Sequence, residues 1–451
     1  MFGLGLMTKK LENISAYSLE ELQKLSKEEL VELAFKENQE KIKYWRRLNQ
    51  NSNNTSRPPS TDSIADKLDR SDRRKHKNRK KSSKKSGGQI GHIGTTLSKQ
   101  TPTKIVKIFR YNPSEKAGQI LRTCQVIDIL IHKEITEYQL ISTKVKSDLT
   151  LKAALPSKNV IYSSKLKAQI AYFSTQHAIS DDRIVRLFKD LYELNISGGT
   201  VTNTLFKAKG LLKQTNLKIL NSIQKAKVLG SDETFMSLNG KLAFLWNWQN
   251  PKYSYFKASE NRKYENIVLT IPNYKGVLVT DRYAAHLKLD SDHQLCLVHL
   301  QRNVKALPDS DLEFKTKLLE ILGSAQKAEK VEENYQYFKQ RLKELLDHSA
   351  ESKHLSKDSK KLVKSLIKNQ AFIFKFLTDP DIPHHNNDTE RELRKSKIKS
   401  KIAGCFRTFK GFETYASILT FIQTCRKQDQ DILCQLQKIF NLEAADLEWA
   451  G

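Results

Sequence analysis

Three carboxylates stand out because of the residues around them. Val228-Leu-Gly-Ser-Asp232 and Gly276-Val-Leu-Val-Thr-Asp281 are each a short, largely apolar run that ends in an acid. Such a run reads as a core strand, so each aspartate is expected at a strand end, where the sheet meets solvent. Two such strands side by side bring two negative charges together, which costs free energy unless a cation neutralises them. A hard divalent ion with oxygen ligands, Mg²⁺ or Mn²⁺, is the natural occupant. The third acid is Glu390, in His384-His-Asn-Asn-Asp-Thr-Glu-Arg-Glu-Leu-Arg394. Asn387 can cap a helix there, which puts Glu390 in its first turn and able to face the aspartates. Two ions held by Asp232, Asp281 and Glu390 would clamp the attacking and leaving oxygens of an in-line phosphoryl transfer. Singly, each acid also fits a local role: a turn at Asp232, a helix cap at Asp281, a capping box at Glu390. The three together, in a strongly basic chain, favour the metal site.

The basic residues say what the site would act on. The chain has 78 Lys and Arg against 50 Asp and Glu, a net charge of +28, which calls for a polyanionic partner, most often nucleic acid. Arg391, Arg394, Lys395, Lys397, Lys399, Lys401 and Arg407 follow the third acid closely. At helical spacing several share a groove and would hold DNA phosphates beside the metal; the alternative is a solvated face. A second run, Arg73-Arg-Lys-His-Lys-Asn-Arg-Lys-Lys81, offers Arg73, Arg74, Lys75, Lys80 and Lys81 for phosphate neutralisation, or is a solvated linker. Cys296-x-x-His299 is half a zinc site at most. A core cysteine, with His299 and Asn387 as outer partners of the carboxylates, is the better reading. His384 and His385 could orient a phosphate or a water. The five cysteines form no C-x-x-C pair, so no disulfide framework or structural zinc is expected. No apolar run approaches the roughly 20 residues that span a bilayer. Charge follows the apolar residues at the start of the chain, the wrong order for a secretory signal. A cytoplasmic, nucleoid-associated protein without membrane contact is expected.

The elements that must position these residues form several regions. Residues 1–48 hold a helical segment, with Ser18-Leu-Glu-Glu21 and Ser26-Lys-Glu-Glu29 as capping boxes. Residues 49–100 are a basic linker rich in Asn, Ser and Lys, expected to be partly disordered. Residues 101–155 alternate as in Ile105-Val-Lys-Ile-Phe109 and Val126-Ile-Asp-Ile-Leu-Ile131, a small β-rich module. Residues 156–220 are helical and fit either a DNA-reading helix-turn-helix, turning at Leu194-Asn-Ile-Ser-Gly-Gly199, or an ordinary helix pair. An α/β rhythm over 221–310 and 380–428 gives the core, with a mixed sheet flanked by helices. A strand over His293–His299 leads into a helix. Residues 311–379 read as a helical insertion, and 429–451 as a terminal helix.

The chain resembles the DDE transposases of the insertion-sequence-sixty-six family. The matching stretches are Asn51-Ser-Asn-Asn-Thr-Ser-Arg-Pro-Pro-Ser60, Gly87 to Thr96, Ser231-Asp-Glu-Thr234 with Asn239-Gly-Lys241, and Val279-Thr-Asp-Arg-Tyr-Ala-Ala285. They continue with Cys296-Leu-Val-His299 and Arg302, Asn386 to Arg394, and Lys401 to Arg407. The resemblance implies an RNase H-like core interrupted by a helical insertion, with Asp232, Asp281 and Glu390 as catalytic triad; the 101–155 module stands at the family's zinc-ribbon position and is degenerate there, with only Cys124 remaining. It implies metal-dependent cleavage at the element's terminal inverted repeats and strand transfer to a target. A homo-oligomer on DNA and accessory proteins of the same element are implied as partners. Arg282 stands where the family often has glycine. Two rival readings share these residues: a non-catalytic DNA-binding protein from a decayed element, and a metal-dependent nuclease with the same core.

Overall fold

The computed structural model describes residues 160–444 throughout, together with 26–32, 34, 41, 99–108, 120, 122–129, 131 and 133–137. By its contacts the chain divides into two units, residues 1–81 with 302–308, and residues 82–301 with 309–451. In the first, residues 27–32 are helical. The second capping box is made there: the Glu29 N–H donates to Ser26 Oγ at 3.3 Å and the Ser26 N–H to Glu29 Oε2 at 2.8 Å. The basic run at 73–81, with Arg73, Arg74, Lys75, Lys80 and Lys81, lies outside the described residues, as does Ser18–Glu21.

In the second unit, the described residues between 99 and 137 form neither helix nor strand. Ile105, Val106, Val126 and Ile129 are exposed, so the strands expected there do not form among them. Four helices follow: α1 Ser164–Thr175, α2 Asp181–Tyr192, α3 Gly198–Leu211 and α4 Lys213–Gln224. The turn into α3 is shorter than expected. Ser197 caps it by accepting the Thr200 N–H, and both glycines enter its first turn. Helix α3 packs against α1 and α2 through Ile170, Ile184, Phe188 and Val201, leaving Asn203 and Lys207 exposed.

The sheet has five strands: β1 Val228–Leu238, β2 Lys241–Gln249, β3 Ser254–Ser259, β4 Val277–Thr280 and β5 Asp292–Leu295. Their order is β3-β2-β1-β4-β5. The first three are antiparallel, while β4 and β5 run parallel to β1. Short helix α5 (Glu265–Val268) follows β3, and α6 (Leu297–Lys305) follows β5. The insertion supplies α7 Leu312–Ala325, α8 Glu332–Glu351 and α9 Lys357–Lys368. The chain then returns as α10 Asn387–Ala403, α11 Phe409–Lys427 and α12 Ile432–Ala444.

Two strand boundaries differ from expectation. Strand β1 does not stop at Asp232 but runs on to Leu238. Asn239 and Gly240 both have positive φ (46° and 75°) and close a hairpin that keeps β1 paired with β2 to the turn. Strand β5 stops at Leu295, so His299 belongs to α6. One sheet face buries Leu229, Trp246, Trp248 and Leu278. The other buries Met236, Leu245 and Phe256 against Leu393 of α10 and Phe412 and Leu419 of α11. Full burial of a large apolar side chain contributes roughly 1.5–3 kcal/mol, so both faces are firmly covered.

Candidate active site

Alternation along β1 sets the face of each side chain. Gly230 and Asp232 share a face, and their β2 partners Gln249 and Asn247 hydrogen-bond to α10 through Thr389 and Glu392. The start of α10 therefore sits on β1 beside Asp232. Gly230 makes this possible: a Cβ there would lie 2.4 Å from Thr389 Oγ1 and 2.8 Å from Asn386 Oδ1. The seam is hydrogen-bonded as well. Asn386 Nδ2 donates to the Ser231 carbonyl at 2.8 Å, and Thr389 Oγ1 donates to Asn386 Oδ1 at 2.6 Å. Asn386 is thus the cap residue, and Asn387 is the first residue inside the helix, its N–H toward His385 Nδ1 at 3.4 Å. Glu390 follows in the first turn.

Asp281 leaves the end of β4. Its Oδ1 accepts the Tyr283 N–H at 2.8 Å, while Asp232 Oδ1 accepts the Glu233 N–H at 2.9 Å. Burial pushes the Asp232 carboxyl well above the usual carboxylate range, and the negative charges of Glu233, Asp281 and Glu390 push the same way. Asp281 and Glu390 are therefore both near enough for their charge to act on Asp232. Glu390 lies between His299, whose Nε2 is 3.3 Å from Oε1, and Arg394, whose guanidinium is 3.4 Å from Oε2. Among the described residues no group of three or more His, Cys, Asp or Glu side chains is gathered so that it could hold a metal ion. The donor chemistry nevertheless fits: Mg²⁺ keeps several waters and takes one or two carboxylates, and mutual repulsion at Asp232 is what a cation relieves.

Helices α6 and α10 are joined at their starts. Cys296 is buried and its Sγ accepts the Asn386 N–H at 3.3 Å, while the Leu297 N–H donates to the His384 carbonyl at 2.9 Å. His384 and His385 stack edge to face, 4.6 Å between centroids. Arg282 turns to the insertion, where it donates to Ser365 Oγ on α9 at 3.4 Å.

The cations after Glu390 do not form one set. Arg391, Arg394 and Lys401 are exposed along one stripe of α10, and Arg407 is exposed beyond its end. Lys397 instead lies 3.1 Å from the Phe235 ring centroid and donates to the Phe235 carbonyl. Lys399 is buried and donates to the Ser174 and Ile179 carbonyls. Glu392, two residues past Glu390, accepts from Ser254 Oγ at 2.6 Å and pairs with Lys427 at 3.3 Å, which ties α10 to β3 and α11.

Sequence reasoning missed a cluster on the opposite face. Glu233 is 3% exposed and paired with Arg262. The Arg262 guanidinium lies 3.7 Å from the Tyr283 ring centroid. Burial pushes the Glu233 carboxyl up to about 7 against the pull of Arg262, with Asp281 adding to the rise. His286 is wholly buried. Its Nε2 is 3.1 Å from Ser231 Oγ and its Nδ1 4.0 Å from Asp281 Oδ1. Burial brings its pKa down to about 4, although Asp281 raises it. The signal for this face was a charged residue inside a strand, with partners remote in sequence.

No helix among the described residues is long and apolar enough to cross a membrane. No curated protein matches the chain. Residues 10–98 match a family of unknown function (DUF6444). Residues 159–414 match the transposase IS66 family, a span that takes in the four helices, the whole sheet, the insertion and all three acids. The chain belongs to the IS66 family of transposases.

Proposed function

We propose that this chain cuts DNA at the ends of its element and joins the freed 3′-hydroxyl ends to a target, using Asp232, Asp281 and Glu390 as its catalytic acids. Membership in the family carries the coarser statement, transposition of DNA. The observation that carries the finer one is the seam between β1 and α10: Asn386 and Thr389 lock onto Gly230 and Ser231, and the next residues on each side are Glu390 and Asp232. The strand order β3-β2-β1-β4-β5, three antiparallel strands and then two parallel ones, supports an RNase H-like core.

Asp232 and Asp281 would hold the divalent metal, Mg²⁺ or Mn²⁺, two ions in the full reading, with Glu390 as third acid. When bound, the metal polarises the phosphoryl oxygens. The chain's own residues do the rest. The backbone N–H groups of Glu233 and Tyr283 fix one oxygen of each aspartate. His299 holds Glu390 from the α6 side. Arg391, Arg394, Lys401 and Arg407 offer phosphate contacts, which fix register without reading sequence. Terminal-repeat and target DNA, further copies of the chain and accessory proteins of the element are the partners of this reading.

The experiment is a cleavage and strand-transfer assay on a duplex carrying the element's end. Wild type is expected to nick and then join in Mg²⁺, and Asp232→Asn to do neither. Unchanged nicking by Asp232→Asn would sink the assignment. Nicking without joined products would favour a nuclease, and binding without either a non-catalytic DNA-binding protein.

A further inference from the structure

The side chains of Glu233, Arg262 and Tyr283 lie under the site on the sheet face away from α10, and the reading above gives none of these side chains a role. Glu233 follows Asp232 in β1, so its side chain takes the opposite face, that of its β2 partner Trp246. Arg262 comes from the loop after β3, and its Nε and Nη2 both reach Glu233 Oε1. Glu233 Oε2 is buried and, among the described residues, has no hydrogen-bond partner. Tyr283 comes from the loop after β4. Its ring carries the guanidinium at 3.7 Å, and its hydroxyl donates to the Arg262 carbonyl at 2.6 Å.

Both ends of this chain of contacts terminate on catalytic acids. The Glu233 N–H holds Asp232 Oδ1 at 2.9 Å, and the Tyr283 N–H holds Asp281 Oδ1 at 2.8 Å. We propose that Glu233, Arg262 and Tyr283 form a positioning clasp that sets the Asp281 loop against β1 and so fixes the spacing of the two aspartate carboxylates for a divalent cation. The inference rests on the reading of Asp232 and Asp281 as metal-holding acids.

Two physical points favour a clasp over a merely stabilising ion pair. A buried salt bridge is weak support for stability, because desolvation offsets the Coulombic gain. Here one carboxylate oxygen receives both guanidinium contacts and the other receives none, a poor arrangement for stability alone. Arginine also does what lysine could not: its planar guanidinium stacks on Tyr283 while its fork engages Glu233. Asp281, by contrast, stands just beyond β4, a strand of only four residues, and the Tyr283 N–H is the contact that fixes its Oδ1. Outer partners of metal-binding side chains are worth about 10–100-fold in metal affinity.

The test is Mn²⁺ binding to the full chain without DNA, followed by electron paramagnetic resonance of the free ion. Melting temperatures confirm that each variant is folded. Wild type should bind, and Asp232→Asn should not. Arg262→Gln should weaken binding by about 10-fold or more. Arg262→Lys, which keeps the charge but loses fork and stack, should fail to restore it. Tyr283→Phe removes only the hydroxyl and should give a smaller loss in the same direction. If Arg262→Gln does not fold, Arg262→Lys and Tyr283→Phe decide. Folded clasp variants that bind Mn²⁺ like wild type would overturn the clasp while leaving the acids in place. A wild type that binds no Mn²⁺, or binding that survives Asp232→Asn, would overturn the metal reading and the clasp with it.

Discussion

Replacing Gly230 by alanine puts one methyl group into the seam that carries Glu390 to Asp232. The new Cβ would lie 2.4 Å from Thr389 Oγ1 and 2.8 Å from Asn386 Oδ1. The nearer contact falls short of ordinary van der Waals separation by about 1 Å. Neither oxygen can swing aside at low cost. Thr389 Oγ1 donates to Asn386 and accepts from Gln249 Nε2 at 3.0 Å, and Asn386 is tied to the Ser231 carbonyl. The start of α10 must therefore lift off β1 by a large fraction of an ångström, and Glu390 moves with it. A displacement of about 1 Å at reacting groups can cost on the order of 10²-fold in rate. Overpacking costs about 1–3 kcal/mol, partly offset by the roughly 0.5–1 kcal/mol that alanine gains over glycine within a strand. Single-turnover cleavage of a labelled element-end duplex reads the first quantity, and thermal unfolding by circular dichroism the second. Adding Thr389→Ala removes the nearer oxygen and should recover part of the lost rate. A folded Gly230→Ala protein that cleaves at the wild-type rate would refute the reasoning, because Glu390 would then not depend on this seam.

Further outcomes follow from the acids, from the Glu392–Lys427 pair and from the exposed cations of α10. Asp232 holds its proton in the folded, metal-free chain at pH values where the unfolded chain has lost it. Metal-free stability should thus fall as pH rises above the ordinary carboxylate range, and urea midpoints in a chelator should show this slope in wild type and a flatter one in Asp232→Asn. Mg²⁺ should raise the wild-type midpoint and leave that of Asp232→Asn nearly unmoved. Glu390→Gln should abolish cleavage with little change in stability, whereas Lys427→Met, which removes the cation paired with Glu392, should destabilise in chemical denaturation by less than the roughly 3–5 kcal/mol of a fully buried pair, because Ser254 and Asn247 still donate to Glu392. Arg391→Ala and Lys401→Ala should each lower the salt dependence of DNA binding by up to about 0.9 in log–log slope, read by fluorescence anisotropy. An unchanged slope in both would remove the α10 stripe from the DNA path.

Much of the core was legible because apolar runs betray strands whatever their partners. Leu229 and Leu278 are buried side by side in β1 and β4, as their runs require. The run before Asp232 misled in one respect: Asp-Glu-Thr looks like a strand's polar end. Pairing across the sheet overrode that local appearance, and Asn239-Gly240 was the local sign of it, a dipeptide suited to a hairpin with positive φ at both residues. The capping residue was misplaced by one position because Asn386 and Asn387 are equally good caps in isolation. Only the acceptor on β1, the Ser231 carbonyl, distinguishes them. Glu390 and Glu392 are likewise equivalent by type, and what separates them is Ser254 and Lys427, remote in sequence. The pairing of Glu233 with Arg262 spans 29 residues, and no periodicity reports it.

The place of the insertion follows from the same logic. Chain connectivity puts α7, α8 and α9 between the acid at the end of β4 and the acid on α10, which taken alone would let their length and packing govern the site. The contacts argue otherwise. The Cys296 backbone N–H extends the β4–β5 ladder by donating to the Thr280 carbonyl at 2.8 Å, its Sγ receives the Asn386 N–H, and the Leu297 N–H reaches the His384 carbonyl. The strand that precedes the insertion and the helix that follows it are thus joined directly, at the residues beside Asp281 and Glu390. Closing the loop here makes the distance between those acids a property of the sheet and of the α6–α10 junction. The insertion meets this frame at Arg282, which donates to Ser365 Oγ on α9, and at Gln294 of β5, which bonds to the Ile373 carbonyl and the Phe376 N–H.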